Sequence, residues 1–494
     1  MKKVVIIGAG VSGLSAASYL AKEGFSVHLC EKLGQTGGRA RILEREGFKF
    51  DMGPTFYWMP DIFETFFAHF GKKPSDFYNL ERLNPGYSVY FGKDDYLSVS
   101  ASLEEIYDMF EKEEPGSSKF LQKFLEQAKY NYHIAIDKVV DKPGKSPFEL
   151  VMPETVANVA EFLSSVSHNV RKNIKSDKLR QILEFPVIFL GAKPSRTPLF
   201  YRFMNYADME LGTWHIMGGF GMLSKAMENL ATSLGVQIHT NMHATKINVR
   251  DGLAGSVEFT NTATGQKSTI EADFVISSAD YHFSETLLEQ KQRNYSEKYW
   301  QKRVFAPSAL LYYVAIDKKL NGLTHHTLFF DTGFESHAHT IYDTGEWPKE
   351  PLFYGSFPSI TDSSVAPQGK ECAIFLIPIA PGLKESDNTR EHYYNQIMDR
   401  LETLTGQSIR PYVLFWESYG VKDFVSDYHS YKGNAYGLAN ILTQTAFLKP
   451  SMENHKVKNL LYTGQLTVPG PGIPPSIISG RVAAKAAIKK LKKL

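Results

Sequence analysis

Cysteine is nearly absent from this chain of 494 residues, which contains only Cys30 and Cys372. The two cysteines lie far apart, and neither belongs to a spacing that is typical of metal or redox sites. Their scarcity excludes a disulfide-stabilised scaffold and fits the reducing conditions of the cytoplasm, where we expect the protein to work.

Long apolar runs and a large net charge are also missing. No stretch of about 18 apolar residues is present, so we expect no transmembrane helix. The apolar residues 4–7 are followed by glycine too soon for a secretory signal, and a first β-strand is the better interpretation. The formal net charge of +2 gives no reason to expect a nucleic-acid partner.

Aromatic residues, in contrast, are abundant, with 33 Phe and 26 Tyr. This composition suits wide apolar cavities as well as ordinary cores. Residues 61–70 place Phe63, Phe66, Phe67 and Phe70 on one face of a predicted helix, and core packing is the favoured role for that face.

The most informative motif is a glycine-rich turn between a first apolar run, a helical stretch and a second apolar run that ends in an acid. Its residues are Gly8, Gly10, Val11, Ser12, Gly13 and Glu31. In a dinucleotide-binding unit the three glycines permit a tight turn, a close approach to pyrophosphate and close helix–strand packing. The acid binds the ribose hydroxyls, and the helix N-terminus favours negative charge. The order therefore predicts a Rossmann-like dinucleotide-binding domain.

Two further motifs favour a flavin over a nicotinamide. Gly37 and Gly38 allow the backbone to pass close to phosphate, and Arg39 is suited to a charge-assisted contact with it. A Gly/Pro-rich turn at residues 464–475 opens a final helix and presents free N–H groups and the positive end of the helix dipole. We expect that helix end beside the flavin ring.

The predicted organisation is one nucleotide domain built from three separated segments, residues 1–90, 206–284 and 456–494. Residues 91–205 are predicted to form a mainly helical region that faces substrate or membrane. Residues 285–455 contain several apolar strands and suit a sheet-containing substrate domain. The fold class is α/β, and α+β over the whole chain.

These motifs resemble those of the bacterial carotenoid (phytoene-type) desaturases, a family of flavoproteins in the amine-oxidase-like superfamily. The resemblance covers essentially the whole chain and is strongest at residues 4–32, 37–63, 210–236 and 464–484. It implies an FAD-binding domain of the amine-oxidase type, a substrate domain of sheet and helices, and a long apolar tunnel. It also implies a hydrophobic carotenoid as substrate and a quinone or oxygen as electron acceptor.

The resemblance further implies which residues contact FAD. Besides the first turn and Glu31, they are Lys32, Gly38 and Arg39 along the ribose and pyrophosphate, Gly53, Pro54 and Thr55 at the isoalloxazine ring, Ala244 at the adenine, and Gly464, Gln465, Gly472 and Ile473 on the far side of the flavin. Four positions depart from the family pattern. Ala244 replaces the usual valine, Gln465 and Pro471 replace small residues, and Pro475 replaces a glycine.

Carotenoid desaturation needs hydride transfer from an allylic carbon to flavin N5 and loss of a neighbouring proton, and the flavin carries the difficult step. No nucleophile or metal is required, so we name no catalytic residue and no metal ligand. The polar candidates for a proton acceptor are Asp208, Glu210, His215 and Glu417, and a structural role is favoured for each.

Several alternatives stay open on the sequence. The substrate is either phytoene or a later intermediate of the γ-carotene type, with or without a hydroxyl group. A flavin-dependent isomerase or saturase also fits the resemblance. An amine oxidase would need an aromatic cage and commonly a cysteine link, but neither cysteine lies near the C-terminal motif. A lipid-binding escort that has lost its flavin is disfavoured by the intact glycines, Glu31 and Arg39.

A carotenoid substrate implies a peripheral contact with the membrane surface. The last helix places Ala484, Ala487, Ile488, Leu491 and Leu494 on one face and five lysines elsewhere. That pattern suits anionic lipid headgroups, but it equally suits a helix whose apolar face packs on the flavin domain. Both interpretations are kept.

Overall fold

The computed structural model describes residues 1–150, 152–153, 159–188 and 190–493. Its strands are β1 Lys3–Ile7, β2 Ser26–Cys30, β3 Ile42–Arg45, β4 Phe48–Asp51, β5 Leu80–Arg82, β6 Tyr87–Gly92, β7 Asp95–Val99, β8 Trp214–Ile216, β9 Gln237–His239, β10 Met242–Arg250, β11 Leu253–Asn261, β12 Lys267–Glu271, β13 Phe274–Ser277, β14 Ser308–Ile316, β15 His326–Phe329, β16 Phe353–Ser356, β17 Glu371–Ile379, β18 Val413–Tyr419 and β19 Leu460–Tyr462.

Its α-helices are α1 Val11–Lys22, α2 Pro60–Ala68, α3 Leu103–Glu113, α4 Ser117–His133, α5 Val159–Leu163, α6 Val166–Asn173, α7 Asp177–Ile188, α8 Phe203–Met209, α9 Gly221–Ser233, α10 Tyr281–Thr286, α11 Glu297–Gln301, α12 Phe334–His339, α13 Asp387–Thr405, α14 Val421–Tyr428 and α15 Ile473–Leu491. Two π-helical turns, Ile134–Val139 and Thr340–Thr344, extend α4 and α12. Helices and strands are thus mixed along the chain, as the α/β class requires.

A five-stranded parallel sheet forms the first layer, in the order β19-β13-β1-β2-β9. Its strands are short apolar runs rich in Val, Ile and Leu, and the central strand β1 is buried over Val4–Ile7. The sheet combines strands from residues 3–30, 237–277 and 460–462, which are far apart in the sequence. The sheet therefore takes strands from all three separated segments, and the prediction that they form one nucleotide domain stays a prediction.

A seven-stranded mixed sheet forms the second layer, in the order β18-β14-β17-β16-β15-β6-β7. Strand β14 is buried at every position, and β17 pairs with it along its full length. The sequence predicted both strands from their apolar residues. It did not predict that β6 and β7, from the first hundred residues, extend this sheet through parallel pairing of β6 with β15.

The predicted phenylalanine face belongs to the core. Phe63, Phe66 and Phe67 are fully buried on α2, while Phe70 follows the end of the helix and packs against the same core. The helices α3 to α7 between residues 103 and 188 agree with the helical pattern predicted there.

The last helix packs its apolar face inside the protein. Ala484, Ala487 and Leu491 are at most 1% exposed, and the helix lies against α1. Arg481 and Lys485 form ion pairs with Asp141. Of the two interpretations of this helix, packing on the nucleotide domain is the one observed, and Leu494 lies outside the described residues.

No described helix is a candidate for a membrane span. Within residues 1–150, 152–153, 159–188 and 190–493, no helix has both the length and the apolar character that a bilayer span requires.

Two glycines determine how closely α1 packs. A Cβ atom on Gly13 would lie 2.0 Å from the carbonyl oxygen of Gly8, and a Cβ on Gly480 would lie 2.3 Å from the carbonyl oxygen of Ser12. Both obstacles are backbone atoms, which have little freedom to move. Only glycine lets α1 sit directly on the first turn and beside α15.

We expect Gly480→Val to destabilise the protein by about 1–3 kcal/mol, because the new side chain forces α15 away from Ser12. The measurement is the denaturant midpoint of unfolding. Gly255→Val is the matched control, since a Cβ on Gly255, an exposed residue of β11, meets no atom within 4 Å. Equal midpoints for the two variants would contradict the expectation.

Candidate active site

A deep cavity joins the first glycine turn to the second sheet. Its wall includes every predicted cofactor residue except Gly13, namely Gly8, Gly10, Val11, Ser12, Glu31, Lys32, Gly38, Arg39, Gly53, Pro54, Thr55, Ala244, Gly464, Gln465, Gly472 and Ile473. Gly13 lies behind the turn, against Gly8. Motifs separated by more than 400 residues in the sequence thus face one space, and their contact with FAD stays a prediction.

The first turn is held by the acid at the end of β2. Glu31 is 7% exposed; one carboxylate oxygen accepts a hydrogen bond from Ala9 N–H at 2.8 Å, and the other accepts from Leu33 N–H at 2.9 Å. Burial raises the pKa of Glu31, and the two backbone hydrogen bonds oppose that shift. The carboxylate therefore fixes the turn geometry while it borders the cavity.

Arg39 provides a buried positive charge at the cavity wall. Its guanidinium lies 4.7 Å from the ring centroid of Tyr428 and donates hydrogen bonds to Ser430 Oγ at 2.5 Å and to the carbonyl oxygen of Asn434 at 3.3 Å. No described residue accepts a hydrogen bond from its buried Nε. Burial lowers the pKa of Arg39, yet an arginine side chain stays protonated in proteins. An unsatisfied cationic donor of this kind fits a phosphate group.

The glycines near Arg39 leave space that suits a pyrophosphate group. A Cβ on Gly53 would lie 2.6 Å from the carbonyl oxygen of Arg39, and one on Gly37 would lie 2.4 Å from Ser224 Oγ. A Cβ on Gly10, in contrast, would meet no protein atom within 4 Å. Gly10 therefore faces open space at the N-terminus of α1, where the positive end of the helix dipole favours an anion.

Aromatic rings surround Ala244 at one end of the cavity. Phe283 stacks on His429 with ring centroids 4.0 Å apart, and His429 Nε2 lies 3.1 Å from His243 Nε2. Burial lowers the pKa of His429 to about 4, so the ring is neutral at pH 7. Flat, uncharged rings suit a purine base. These rings come from three distant parts of the chain, so no sequence motif predicted them.

The opposite end of the cavity is an apolar chamber. Its side chains come from the loop after β4, from α7 and α12, from the two π-helical turns and from the second sheet and its flanking residues. They include Phe56, Ala135, Ile136, Val139, Phe185, Phe330, Phe334, Ile341, Leu328 and Leu352. The wall reaches the surface loop at residues 142–149 and the turn at residues 445–447. π-Helical turns often occur at functional sites, and both of those described here border this chamber.

A few polar atoms interrupt the apolar wall. Tyr354 Oη lies 2.8 Å from Thr55 Oγ1 and 2.6 Å from His326 Nδ1. Tyr342 Oη and Asn440 Oδ1 are buried, and no described residue is within hydrogen-bonding distance of either atom. These residues belong to no sequence motif. The alternation of side chains along β15 and β16 is the one sequence signal that relates to His326 and Tyr354.

None of the four predicted proton-acceptor candidates lies on the cavity wall. Asp208 accepts a hydrogen bond from Tyr87 Oη at 2.8 Å, Glu210 pairs with Lys129, His215 Nε2 lies 3.1 Å from Asp362, and Glu417 lies 2.8 Å from Arg45. Burial raises the pKa of Asp208 to about 7, but its partners place it away from the chamber. Each of the four side chains thus contacts another residue of the chain, and the structural role that the sequence favoured for them stays a prediction.

The parallel sheet, the glycine turn and the buried cation define a dinucleotide-binding domain, and an apolar chamber adjoins it. The chain belongs to the family described as flavin containing amine oxidoreductase, which it matches over residues 11–488. It is thus an FAD-dependent oxidoreductase, and the Rossmann-like FAD-binding fold and the flavin cofactor predicted from the sequence are confirmed.

Individual proteins give the same assignment. The chain is 37% identical to a carotenoid 3,4-desaturase of Haloarcula japonica over 99% of its own length and 98% of that protein. It is 28% identical to a zeta-carotene-forming phytoene desaturase of Myxococcus xanthus, over 98% and 93% of the two chains. A crystal structure of an oxidoreductase from Methanosarcina mazei superimposes with a TM-score of 0.63 at 18% identity, over 98% of this chain and 100% of that one. The predicted resemblance to carotenoid desaturases is confirmed.

We expect Arg39→Met to weaken FAD binding by about 10- to 150-fold, because a charge-assisted hydrogen bond contributes about 1.5–3 kcal/mol. The measurement is titration of the flavin-free protein with FAD. Arg45→Met is the matched control, since Arg45 is exposed and paired with Glu46 and Glu417. Unchanged affinity in Arg39→Met would remove Arg39 from the phosphate site.

Proposed function

We propose that this protein is an FAD-dependent carotenoid desaturase that introduces C=C bonds into a polyene during carotenoid biosynthesis. The observation that carries the proposal is the continuity of one cavity, in which the FAD-binding motifs open directly into an apolar chamber. A polyene that enters the chamber meets the flavin end at Thr55 and Tyr354. Full-length relatives named as carotenoid 3,4-desaturase and phytoene desaturase support the assignment.

In this proposal Glu31 and Arg39 hold the ribose and pyrophosphate, Ala244 meets the adenine, and residues 53–55 border the flavin ring. FAD, when bound, accepts a hydride from an allylic carbon of the substrate. The chain supplies orientation, because the chamber holds the polyene in line with the ring, and its apolar wall keeps water away from the cation left behind.

We propose further that the substrate carries a hydroxyl group, as a hydroxylated intermediate of the γ-carotene type does. Tyr342 Oη and Asn440 Oδ1 are buried on the chamber wall without a described partner. A buried polar atom without a hydrogen bond is unfavourable by about 1–3 kcal/mol. A substrate hydroxyl relieves that penalty, whereas phytoene, a hydrocarbon, does not.

The rim of the chamber supports a peripheral contact with the membrane. Phe148, in the loop that borders the cavity, is 80% exposed, and Leu448, beside the turn at residues 445–447, is 41% exposed. Exposed apolar side chains at a cavity mouth suit a lipid surface from which a carotenoid enters. We propose this rim, rather than the last helix, as the membrane contact, and a quinone or oxygen as the final electron acceptor.

We also propose that the segments 1–90, 206–284 and 456–494 form the FAD-binding domain, with 91–205 as the helical region and 285–455 as the substrate domain. The five-stranded sheet, which takes strands from all three segments, supports the first part. The pairing of β6 and β7 with the second sheet indicates close integration of the two domains.

We expect the FAD-loaded protein to convert a hydroxylated γ-carotene in liposomes to a product that absorbs at longer wavelength, with phytoene and γ-carotene as parallel substrates and a quinone as oxidant. The spectrum and mass of the product distinguish the alternatives. Loss of two hydrogens identifies desaturation, a gain of two identifies saturation, and unchanged mass with an altered spectrum identifies isomerisation. FAD-loaded protein that binds the polyenes without altering any of them would contradict the proposal.

We expect Tyr342→Phe to lower the preference for the hydroxylated substrate over its hydrocarbon counterpart by about fivefold, because one hydrogen bond contributes about 1 kcal/mol. The measurement is the ratio of kcat/KM for the two substrates, so the hydrocarbon serves as the internal control. An unchanged ratio would show that Tyr342 does not contact the hydroxyl group.

A further inference from the structure

Strand register brings a tyrosine and a histidine together beside the predicted flavin ring. Strands β15 and β16 are antiparallel, with His326 opposite Ser356 and Leu328 opposite Tyr354. Because alternate residues of a strand share a face, His326, Leu328 and Tyr354 lie on the same side of the sheet. Leu328 and Tyr354 border the chamber, so His326 lies just behind its wall.

These side chains form a short hydrogen-bonded chain that starts at the cavity. Thr55 Oγ1, at the expected flavin ring, lies 2.8 Å from Tyr354 Oη, which lies 2.6 Å from His326 Nδ1. The His326 ring is fully buried and stacks on Phe56 at 4.0 Å. No described residue is within hydrogen-bonding distance of its Nε2. Tyr354 therefore stands between the cavity and an enclosed imidazole.

We infer that Tyr354 is a catalytic residue that accepts the proton lost by the polyene, and that His326 is the positioning residue that takes the phenolic proton in exchange. The inference rests on the proposed desaturase activity and adds to it the group that completes the reaction. Tyr354 and His326 both belong to this chain, and no sequence motif includes either of them.

The step balances in atoms and electrons. One allylic C–H bond breaks, and its hydrogen leaves with the electron pair as hydride to FAD. The C–H bond on the neighbouring carbon then breaks, and its electron pair becomes the second bond of the new C=C. Its proton goes to Tyr354 Oη while the phenolic proton goes to His326 Nδ1. A quinone that takes the hydride equivalent needs one further proton to become a quinol, and His326 returns the proton that it holds.

The surroundings of His326 suit transient protonation of its imidazole ring. Burial and the neighbouring His215 hold the pKa of His326 well below its usual value, so the ring is neutral at pH 7 and would hold an accepted proton only weakly. Its ring centroid lies 4.5 Å from that of His325, which lies 4.5 Å from that of His215. His215 contacts Asp362 at 3.1 Å.

The Asp362 carboxylate lies at the end of the row that His326, His325 and His215 form. Burial acts to raise the pKa of Asp362, but hydrogen bonds from His215, from Gly218 N–H and from Ser364 outweigh it and hold that pKa well below the usual value. The resulting negative charge offsets a positive charge on the histidine row. His337, another histidine on the chamber wall, has both ring nitrogens engaged, with the carbonyl oxygen of Pro378 and with Leu352 N–H. It is not available as an acceptor.

The first test needs no turnover. The proposed role requires His326 Nδ1 to be free of a proton at rest, so ¹⁵N NMR of histidine-labelled, flavin-free protein is expected to show His326 as the neutral Nε2–H tautomer. His326→Asn identifies the signal, and Tyr354→Phe is expected to shift its Nδ1 resonance. A resting ring with the proton on Nδ1 would overturn the proposal, because that nitrogen then has no lone pair to offer.

The second test follows conversion in a single anaerobic turnover of FAD-loaded protein with the polyene that wild type converts. We expect Tyr354→Phe and His326→Asn to slow the appearance of the desaturated product by about 100-fold, which is the lower range for loss of a general base. Tyr90→Phe is the matched control, since Tyr90 is buried in the same sheet and its hydroxyl donates to the carbonyl oxygen of Gly322 at 2.8 Å, away from the cavity wall.

Binding measurements separate a chemical role from a structural one. We expect FAD affinity and polyene affinity, read by titration, to stay within about twofold of wild type in both variants. Product formation within about twofold of wild type in Tyr354→Phe would overturn the proton pathway and leave the desaturase assignment intact. Wild-type protein that binds FAD and polyene but forms no desaturated product would overturn the desaturase assignment, and the proton pathway with it.

Discussion

The rest of the structure depends on two close backbone contacts, where there is no space for a side chain. At the first turn, α1 sits directly on the Gly8 carbonyl through Gly13, and α15 sits on the Ser12 carbonyl through Gly480. This packing brings the N-terminal end of α1 to the wall of the cavity, beside a final segment that is more than 400 residues away in the sequence. Because both contacts are between backbone atoms, they tolerate little adjustment. The N-terminal end of α1 therefore reaches the cavity through close helix packing, together with the Glu31 carboxylate that fixes the preceding turn.

The cavity unites two environments that normally exclude each other. One end offers a buried guanidinium, backbone N–H groups and neutral aromatic rings, while the other end is aromatic and aliphatic. The two meet at Thr55 and Tyr354, which form the polar boundary of the apolar chamber. In the proposed binding mode FAD would bridge the two environments, with its charged half at the nucleotide end and its ring at the apolar chamber. This arrangement explains why an enzyme for an apolar substrate needs so few polar residues near the reaction.

Sequence reasoning succeeded where the signal is local. Apolar runs predicted a first strand at residues 4–7 and several strands within residues 285–455, and the motifs at Gly8, Gly37 and Gly464 border one cavity. Their contact with one cofactor stays a prediction. It failed where the signal depends on register between strands. His326 and Tyr354 become neighbours only after β15 and β16 pair, and nothing in either segment reveals the partner. The four acidic or histidine candidates were visible as residue types, but their pairing with Tyr87, Lys129, Asp362 and Arg45 is a tertiary property.

The parallel sheet has a consequence for biosynthesis. Its edge strand β19, together with the turn and helix that follow, supplies one wall of the cofactor cavity. A ribosome that has translated only the first 450 residues has thus produced a chain in which that wall does not yet exist. Enclosure of FAD is therefore a late event that follows release of the C-terminal segment from the exit tunnel. Until then the cavity lacks one wall and its apolar residues stay exposed, a state that favours aggregation.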